Sequence, residues 1–252
     1  MSNVNTLELA GFLLIDKPDG LTSHDVIDAL RRTTGIRTIG HAGTLDPFAT
    51  GLLLCAVGRK ATKHLSRFIG MSKEYVAEAY LGAIADTYDR EGKITVTSQV
   101  IAPEKKTIEC MLRGFVGEQE QLPPAYSAKK VHGKKMYELA RKGCIIERTP
   151  NRITIFAISP ATYDYPHLSF SCHVSTGTYI RTLIHDIGHR LGCGAYAQTL
   201  RRTTIGSFNV TESVTLDKLT PKNWMAYLKT YEEIQHRVTR NTCNADEKKI
   251  IF

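Results

Sequence analysis

The hydrophobic pattern of this chain changes period within one short stretch, and that change limits the folds open to it. Residues 153–165, ITIFAISPATYDY, and 168–177, LSFSCHVSTG, are strand-like runs joined by a turn at Pro166-His167. Directly after Gly177, residues 178–192, TYIRTLIHDIGHRLG, place Ile180, Leu183, Ile184, Ile187 and Leu191 on one face of a helix. Side chains alternate faces along a strand and recur every three or four positions along a helix. A chain that does both in succession is a mixed α and β protein.

The rest of the chain repeats the theme. GFLLID at 11–16 reads as a short apolar strand, and KPDGLTSHD supplies Pro, Gly and several caps before a basic helix, VIDALRRTTG. A Gly-rich segment, RTIGHAGTLDPFATG, leads into LLLCAVG, a buried strand. RKATKHLSRFIG is expected to be one short helix, KEYVAEAYLGAIAD a half-buried alternating strand, and 104–116 a helix. From about 119 to 150 the chain opens with Pro123-Pro124 and is dense in Lys and Arg, which predicts a basic insertion carrying a short helix at about 135–142. A further helix is expected at 221–235, before a polar tail. The domain organisation predicted from this pattern is a catalytic domain over 1–212, including the insertion, and a short helical extension and tail over 213–252.

With 252 residues and 42% hydrophobic side chains, the chain can bury a core without staples. Its six cysteines stand singly, with no CxxC pair, so reduced thiols and no structural metal site are expected. The opening MSNVNTLELAG lacks a secretory signal, and no stretch approaches the roughly 18 apolar residues of a membrane span, so a cytoplasmic protein without membrane partners is expected. A formal charge of +8 favours polyanions, because Lys and Arg that neutralise phosphates release counterions.

The chemistry concentrates in GHAGTLDPFATGLL, residues 40–53. Three glycines around one acid, Asp46, let the backbone turn tightly and admit a bulky ligand close to the carboxylate. On pattern alone Asp46-Pro47 reads first as a common turn or capping dipeptide. The segment matches, almost letter for letter, the catalytic motif of the TruB pseudouridine synthases. Further blocks follow in the same order: KPxGxTS at Lys17 to Ser23, KEY at Lys73 to Tyr75, PPAYSAxKxxGxxxYExAR at Pro123 to Arg141, GTYIRTLxxDxG at Gly177 to Gly188, and LRRTxxGxF at Leu200 to Phe208. The chain resembles that family from about residue 11 to 208. It departs at Ala85-Asp86-Thr87, where the family usually has a TDT triplet, which puts the local hydrogen bonding in question. It also ends near the point where many bacterial members continue into a small PUA-like RNA-binding domain, so a lower tRNA affinity is expected.

The resemblance implies an α+β pseudouridine synthase fold, with a mixed, largely antiparallel central sheet, flanking helices and a basic insertion. It implies isomerisation of the T-loop uridine of tRNA, uridine-55, with no metal, redox agent or other cofactor. In the family the Asp of GTLDP is the catalytic carboxylate, which nominates Asp46. The matching Arg pairs with that acid, which nominates Arg181; a cation in the first turn of a helix opposes the helix dipole and calls for an acidic partner nearby. The Tyr of KEY stacks on the flipped base, nominating Tyr75, and an aromatic platform suits an extruded pyrimidine. Leu200 takes the apolar wall, His41 helps hold the extruded nucleotide, and Lys129, Lys130, Lys134 and Lys135 of the insertion are candidates for phosphate contacts. The implied partner is the T arm of tRNA, and a monomer with no obligate protein partner is expected. Two rivals stand beside this: a synthase acting on another RNA site, including the guide-RNA-dependent branch, and an RNA-binding or tRNA-folding module without catalysis.

Overall fold

The computed structural model describes residues 9–97, 101–126, 130–131, 134–135, 148–235 and 237. They divide into two compact units, the first comprising 1–73 with 202–252 and the second 74–201.

In the first unit the apolar run at 11–16 becomes strand β1 (Gly11–Lys17), with Phe12, Leu13 and Ile15 wholly buried. Helix α1 (Ser23–Thr34) follows, started by a capping box between Thr22 and Asp25 and stopped at Gly35, whose left-handed backbone returns its N–H to Arg31 O. Strand β2 (Ile39–Ala42) and strand β3 (Thr50–Val57) enclose the loop that carries Asp46. β3 lies antiparallel to β1, with Leu14 opposite Leu54, and antiparallel to β2, with His41 opposite Cys55. β2 was not expected, because its glycine and histidine interrupt the apolar pattern. RKATKHLSRFIG forms two short helices, α2 (Arg59–Thr62) and α3 (Leu65–Ile69), because the His64 N–H bonds Ala61 O at 3.0 Å in a tight turn between them.

The second unit begins along strand β4 (Lys73–Leu81), whose odd-numbered residues are buried as the alternation predicts. Gly82 interrupts the run by bonding Gly194 O at 3.1 Å, and strand β5 (Ala83–Ala85) then pairs antiparallel with strand β6 (Ile94–Val96). Helix α4 (Lys105–Arg113) lies within the segment expected to be helical. Strand β7 (Gly117–Gln121) takes up the first residues assigned to the insertion, because they pair with the long strand that follows it. Strands β8 (Lys130–Val131) and β9 (Lys134–Lys135) form a small antiparallel pair. Lys135 is thus in a strand, and the remainder of the helix expected at 135–142 lies outside the described residues, as does Lys129.

Strand β10 (Asn151–Asp164) and strand β11 (His167–Val174) make the antiparallel hairpin predicted from their sequences, and helix α5 (Ile180–Arg190) buries Ile180, Leu183, Ile184 and Ile187. Strand β12 (Ala195–Ile205) completes the order β12-β4-β11-β10-β7.

The chain re-enters the first unit at Arg202. Strand β13 (Phe208–Asn209) turns back on the end of β12, and strand β14 (Val214–Thr215) pairs parallel with β1. The single helix expected at 221–235 is broken. A 3-10 turn at Trp224–Tyr227 is followed by Lys229, which exchanges two 2.8 Å backbone hydrogen bonds with Phe12, and then by a helical turn that buries Ile234 against Phe12 and Phe208. A helix running through Lys229 would direct those groups along its own axis and leave the Phe12 backbone without them.

The architecture is α+β, mixed and largely antiparallel, as expected. Among the described residues no helix is long and apolar enough to cross a membrane.

Candidate active site

In the first unit the Asp46 loop is anchored by its apolar residues. Leu45, Phe48 and Ala49 are buried, while Asp46 and Pro47 between them are partly exposed. The Ala49 N–H closes a turn on Asp46 O at 3.1 Å. Both neighbours of Asp46 are gripped by residues running from the end of β1 to the start of α1. On one side the Ser23 hydroxyl accepts from Leu45 N at 2.8 Å and donates to Leu45 O at 3.1 Å. On the other, Pro47 O accepts from Gly20 N and from the Lys17 ammonium, each at 3.0 Å. Lys17 is fully buried and also donates to Pro18 O at 2.9 Å and Leu21 O at 2.5 Å, so its charge is solvated by carbonyl dipoles instead of water.

Arg202, Lys73 and His41 belong to the same unit. Arg202, 1% exposed, donates from Nε to Leu52 O at 2.8 Å and from NH2 to Gly43 O at 3.0 Å, tying the start of the Asp46 loop to the strand that ends it. Lys73 donates to Ile69 O and Met71 O; burial, with a smaller contribution from Arg202, brings its pKa down to about 8. Burial, then Arg202 and His24, depress the pKa of His41, so its imidazole is neutral at pH 7. The Nδ1 of His41 is buried without a hydrogen-bond partner among the described residues.

The remaining described candidates lie in the second unit. Tyr75, on β4, is 8% exposed, and Leu200, on β12, is 6% exposed. Arg181 occupies the first turn of α5 and is 4% exposed. Its NH1 donates to Asp89 Oδ2 and to Thr87 O, both at 2.8 Å, and its NH2 donates to Tyr126 O at 3.0 Å. The acidic partner demanded by the helix dipole is therefore present, and within this unit it is Asp89. A guanidinium carries five N–H donors, so these bonds do not exhaust its capacity.

Asp89 escaped sequence reasoning, as did Arg202 and the two anchors of the Asp46 loop, Lys17 and Ser23. Asp89 also accepts from Thr87 Oγ1 at 2.7 Å and from Glu91 N at 3.1 Å. Tyr88, between the two residues that bond Arg181, has a positive φ of 66°. The departure at Ala85-Asp86-Thr87 costs this turn nothing visible: Ala85 is buried beside Ala83 and Tyr196, while Asp86 Oδ1 accepts from Lys93 N at 2.8 Å. The signal for Asp89 was a second acid after Thr87. Its partner lies 92 residues away, beyond any local pattern. Lys130, Lys134 and Lys135 fall on β8 and β9. Among the described residues no group of three or more His, Cys, Asp or Glu is placed to hold a metal ion.

Comparison with known proteins agrees along the chain. The model of the TruB family pseudouridylate synthase N-terminal domain matches residues 31–180, and that of the tRNA pseudouridylate synthase B C-terminal domain matches 181–239. A tRNA pseudouridine synthase B of Protochlamydia amoebophila is 48% identical over 200 residues, covering 79% of this chain and 76% of the relative. That of Chlamydia trachomatis serovar L2 is 46% identical over 209 residues, covering 83% and 86%. Among solved structures, a chain of a Cbf5-Nop10-Gar1 complex superposes with a TM-score of 0.67 at 29% identity, covering 86% of this chain and 55% of that one. A chain of an H/ACA RNP bound to a substrate RNA containing 2′-deoxyuridine gives 0.64 at 27% identity, covering 86% and 54%. This chain thus spans about half the length of those two structural neighbours.

Proposed function

Because the chain belongs to the TruB family of pseudouridylate synthases, we propose that it isomerises uridine to pseudouridine in the T loop of tRNA, at uridine-55, with Asp46 as the catalytic carboxylate. The observation that carries the assignment of Asp46 is the grip on its loop: a partly exposed acid whose two neighbours are both hydrogen-bonded to residues running from the end of β1 to the start of α1. A reacting group held in place before the substrate arrives has already met the orientational cost of the reaction.

Pseudouridine formation breaks the C1′–N1 bond, turns the uracil and rejoins it through C5, whose hydrogen leaves as a proton. The Asp46 carboxylate adds to C6 of the base, attacks C1′ of the ribose, or assists removal of the 2′ proton; each route uses the same group. Arg181 is the cation assigned to keep Asp46 ionised, by charge and by hydrogen bonding. Tyr75 is the platform for the flipped base and Leu200 its apolar wall. His41, neutral at pH 7, contributes an uncharged imidazole toward the extruded nucleotide. Lys129, Lys130, Lys134 and Lys135 are assigned to phosphates of the T arm. The protein is taken to work as a cytoplasmic monomer, with its catalytic domain over 1–212. Tyr75, Arg181 and Asp46 together favour this reading over a module that only binds RNA, which has no chemical use for a carboxylate and a matching cation.

The test uses a tRNA transcript tritiated at uridine C5, because forming the new C–C bond expels that hydrogen into water. Release by the wild type, abolished in Asp46→Asn with tRNA binding largely kept and abolished when the T-loop uridine is replaced by cytidine, is the expected result. Absence of release from a transcript that binds tightly would refute the assignment of this substrate.

A further inference from the structure

The start of α1 is hydrogen-bonded to the loop that carries Asp46. We infer that Ser23 is a positioning residue for Asp46, acting through the backbone of Leu45; this rests on the assignment of Asp46 as the catalytic carboxylate. Ser23 is the first residue of α1, 2% exposed, and its hydroxyl engages both backbone groups of Leu45, at 2.8 Å from the N–H and 3.1 Å to the carbonyl. Leu45 is itself 3% exposed, so water does not replace these bonds when they are lost. One hydroxyl thus makes the two bonds that a neighbouring strand would otherwise make, at the residue directly before Asp46.

The bond pattern separates this role from helix capping. The cap of α1 is Thr22, which exchanges its bonds with Asp25 and makes none to the Asp46 loop among those observed. Ser23 contributes to that box nothing that alanine would lack, so its hydroxyl is committed to the loop. Lys17 and Gly20 hold Pro47 from the other side, and without the Ser23 hydroxyl the residue directly before Asp46 loses both of these bonds while Pro47 keeps its own. The carboxylate then samples positions away from the reacting carbon while the rest of the RNA-binding surface is unchanged.

The experiment measures the single-turnover rate of tritium release at saturating tRNA, the Kd for tRNA and the thermal midpoint, for the wild type, Asp46→Asn, Ser23→Ala, Ser23→Cys, Ser23→Thr and Thr22→Ala. Displacement of a reacting group by about 1 Å costs about 100-fold in rate, so Ser23→Ala is expected to lose about 10- to 100-fold with Kd changed less than about twofold. Cysteine fills the space of serine but hydrogen-bonds weakly, and should lose rate as alanine does. Threonine restores the hydroxyl and should recover most of the rate. Thr22→Ala should lower the thermal midpoint and keep the rate. The inference is overturned if Ser23→Ala and Ser23→Cys turn over at the wild-type rate while Asp46→Asn is inactive. It is equally overturned if all three Ser23 variants and Thr22→Ala lose rate in proportion to their thermal midpoints, which would mark a general effect of α1. Turnover by Asp46→Asn would instead refute the assignment of Asp46 itself.

Discussion

Replacing Asp89 with alanine should take from the buried guanidinium of Arg181 the carboxylate it pairs with in this unit. The side chains of Arg181 and Asp89 are 5% and 4% exposed, and their contact is 2.8 Å long. At a solvated surface such a pair is worth at most about 1 kcal/mol. Removing one member of a buried pair costs about 3–5 kcal/mol, because the remaining charge is cut off from water. The same change removes the acceptor of Thr87 Oγ1 and Glu91 N, which places Asp89→Ala at the upper end of that range. Urea denaturation of the wild type, Asp89→Ala, Arg181→Met and the double variant measures the effect. The double variant should be more stable than the sum of the single losses predicts, by about 3 kcal/mol, since it removes both charges of this pair together. Tritium release by Asp89→Ala should also fall at least about tenfold, as the Arg181 head group loses one of its anchors. A stability loss under about 1 kcal/mol, or strict additivity in the cycle, would show that water reaches the pair and would refute the reasoning.

Two further outcomes follow from the same geometry. Lys73 has a pKa of about 8 against an ordinary 10.5, so between those values the unfolded chain binds the proton and the native protein does not. Its cost to folding is therefore complete below about pH 8 and is relieved as the pH rises to 10.5; the stability of the wild type relative to Lys73→Met should rise by about 3 kcal/mol across that window, and a flat difference would mean the ammonium is not desolvated. Gly51 has φ +100° and an added Cβ would lie 2.3 Å from Arg202 O, whereas Gly35, at φ +73°, has nothing within 4 Å. Gly35→Ala should cost about 1–2 kcal/mol and Gly51→Ala about 3–5 kcal/mol by thermal denaturation, the difference being the clash with backbone; equal losses would argue against the close approach.

Much of the fold could be read locally because its signals are local. The caps at Thr22 and Gly35, the alternation along β4, the hairpin of β10 and β11 and the apolar stripe of α5 each depend on residues within a few positions of one another. Where local preference and tertiary demand diverged, expectation failed. His41 and Gly40 break an apolar pattern yet extend along β3 as β2, because β3 presents backbone groups that need partners. The sequence at 221–235 suits a helix, yet Lys229 is drawn into pairing with Phe12.

The candidate site divides in the same way. Asp46, Tyr75 and Arg181 were legible through motifs, since residue type and order survive in a linear string. What that string determined by itself was the family and the α+β class, and through the family motif it nominated Asp46. Only the tertiary structure decided what surrounds those residues: Asp89 beside Arg181, Arg202 bridging Gly43 and Leu52, and Lys17 and Ser23 gripping the two neighbours of Asp46. Those contacts join residues from 22 to 159 positions apart, and each depends on the burial of a charge or hydroxyl. Burial is a property of the packed chain, which is why a polar residue in a sequence does not announce whether it faces water or a backbone carbonyl.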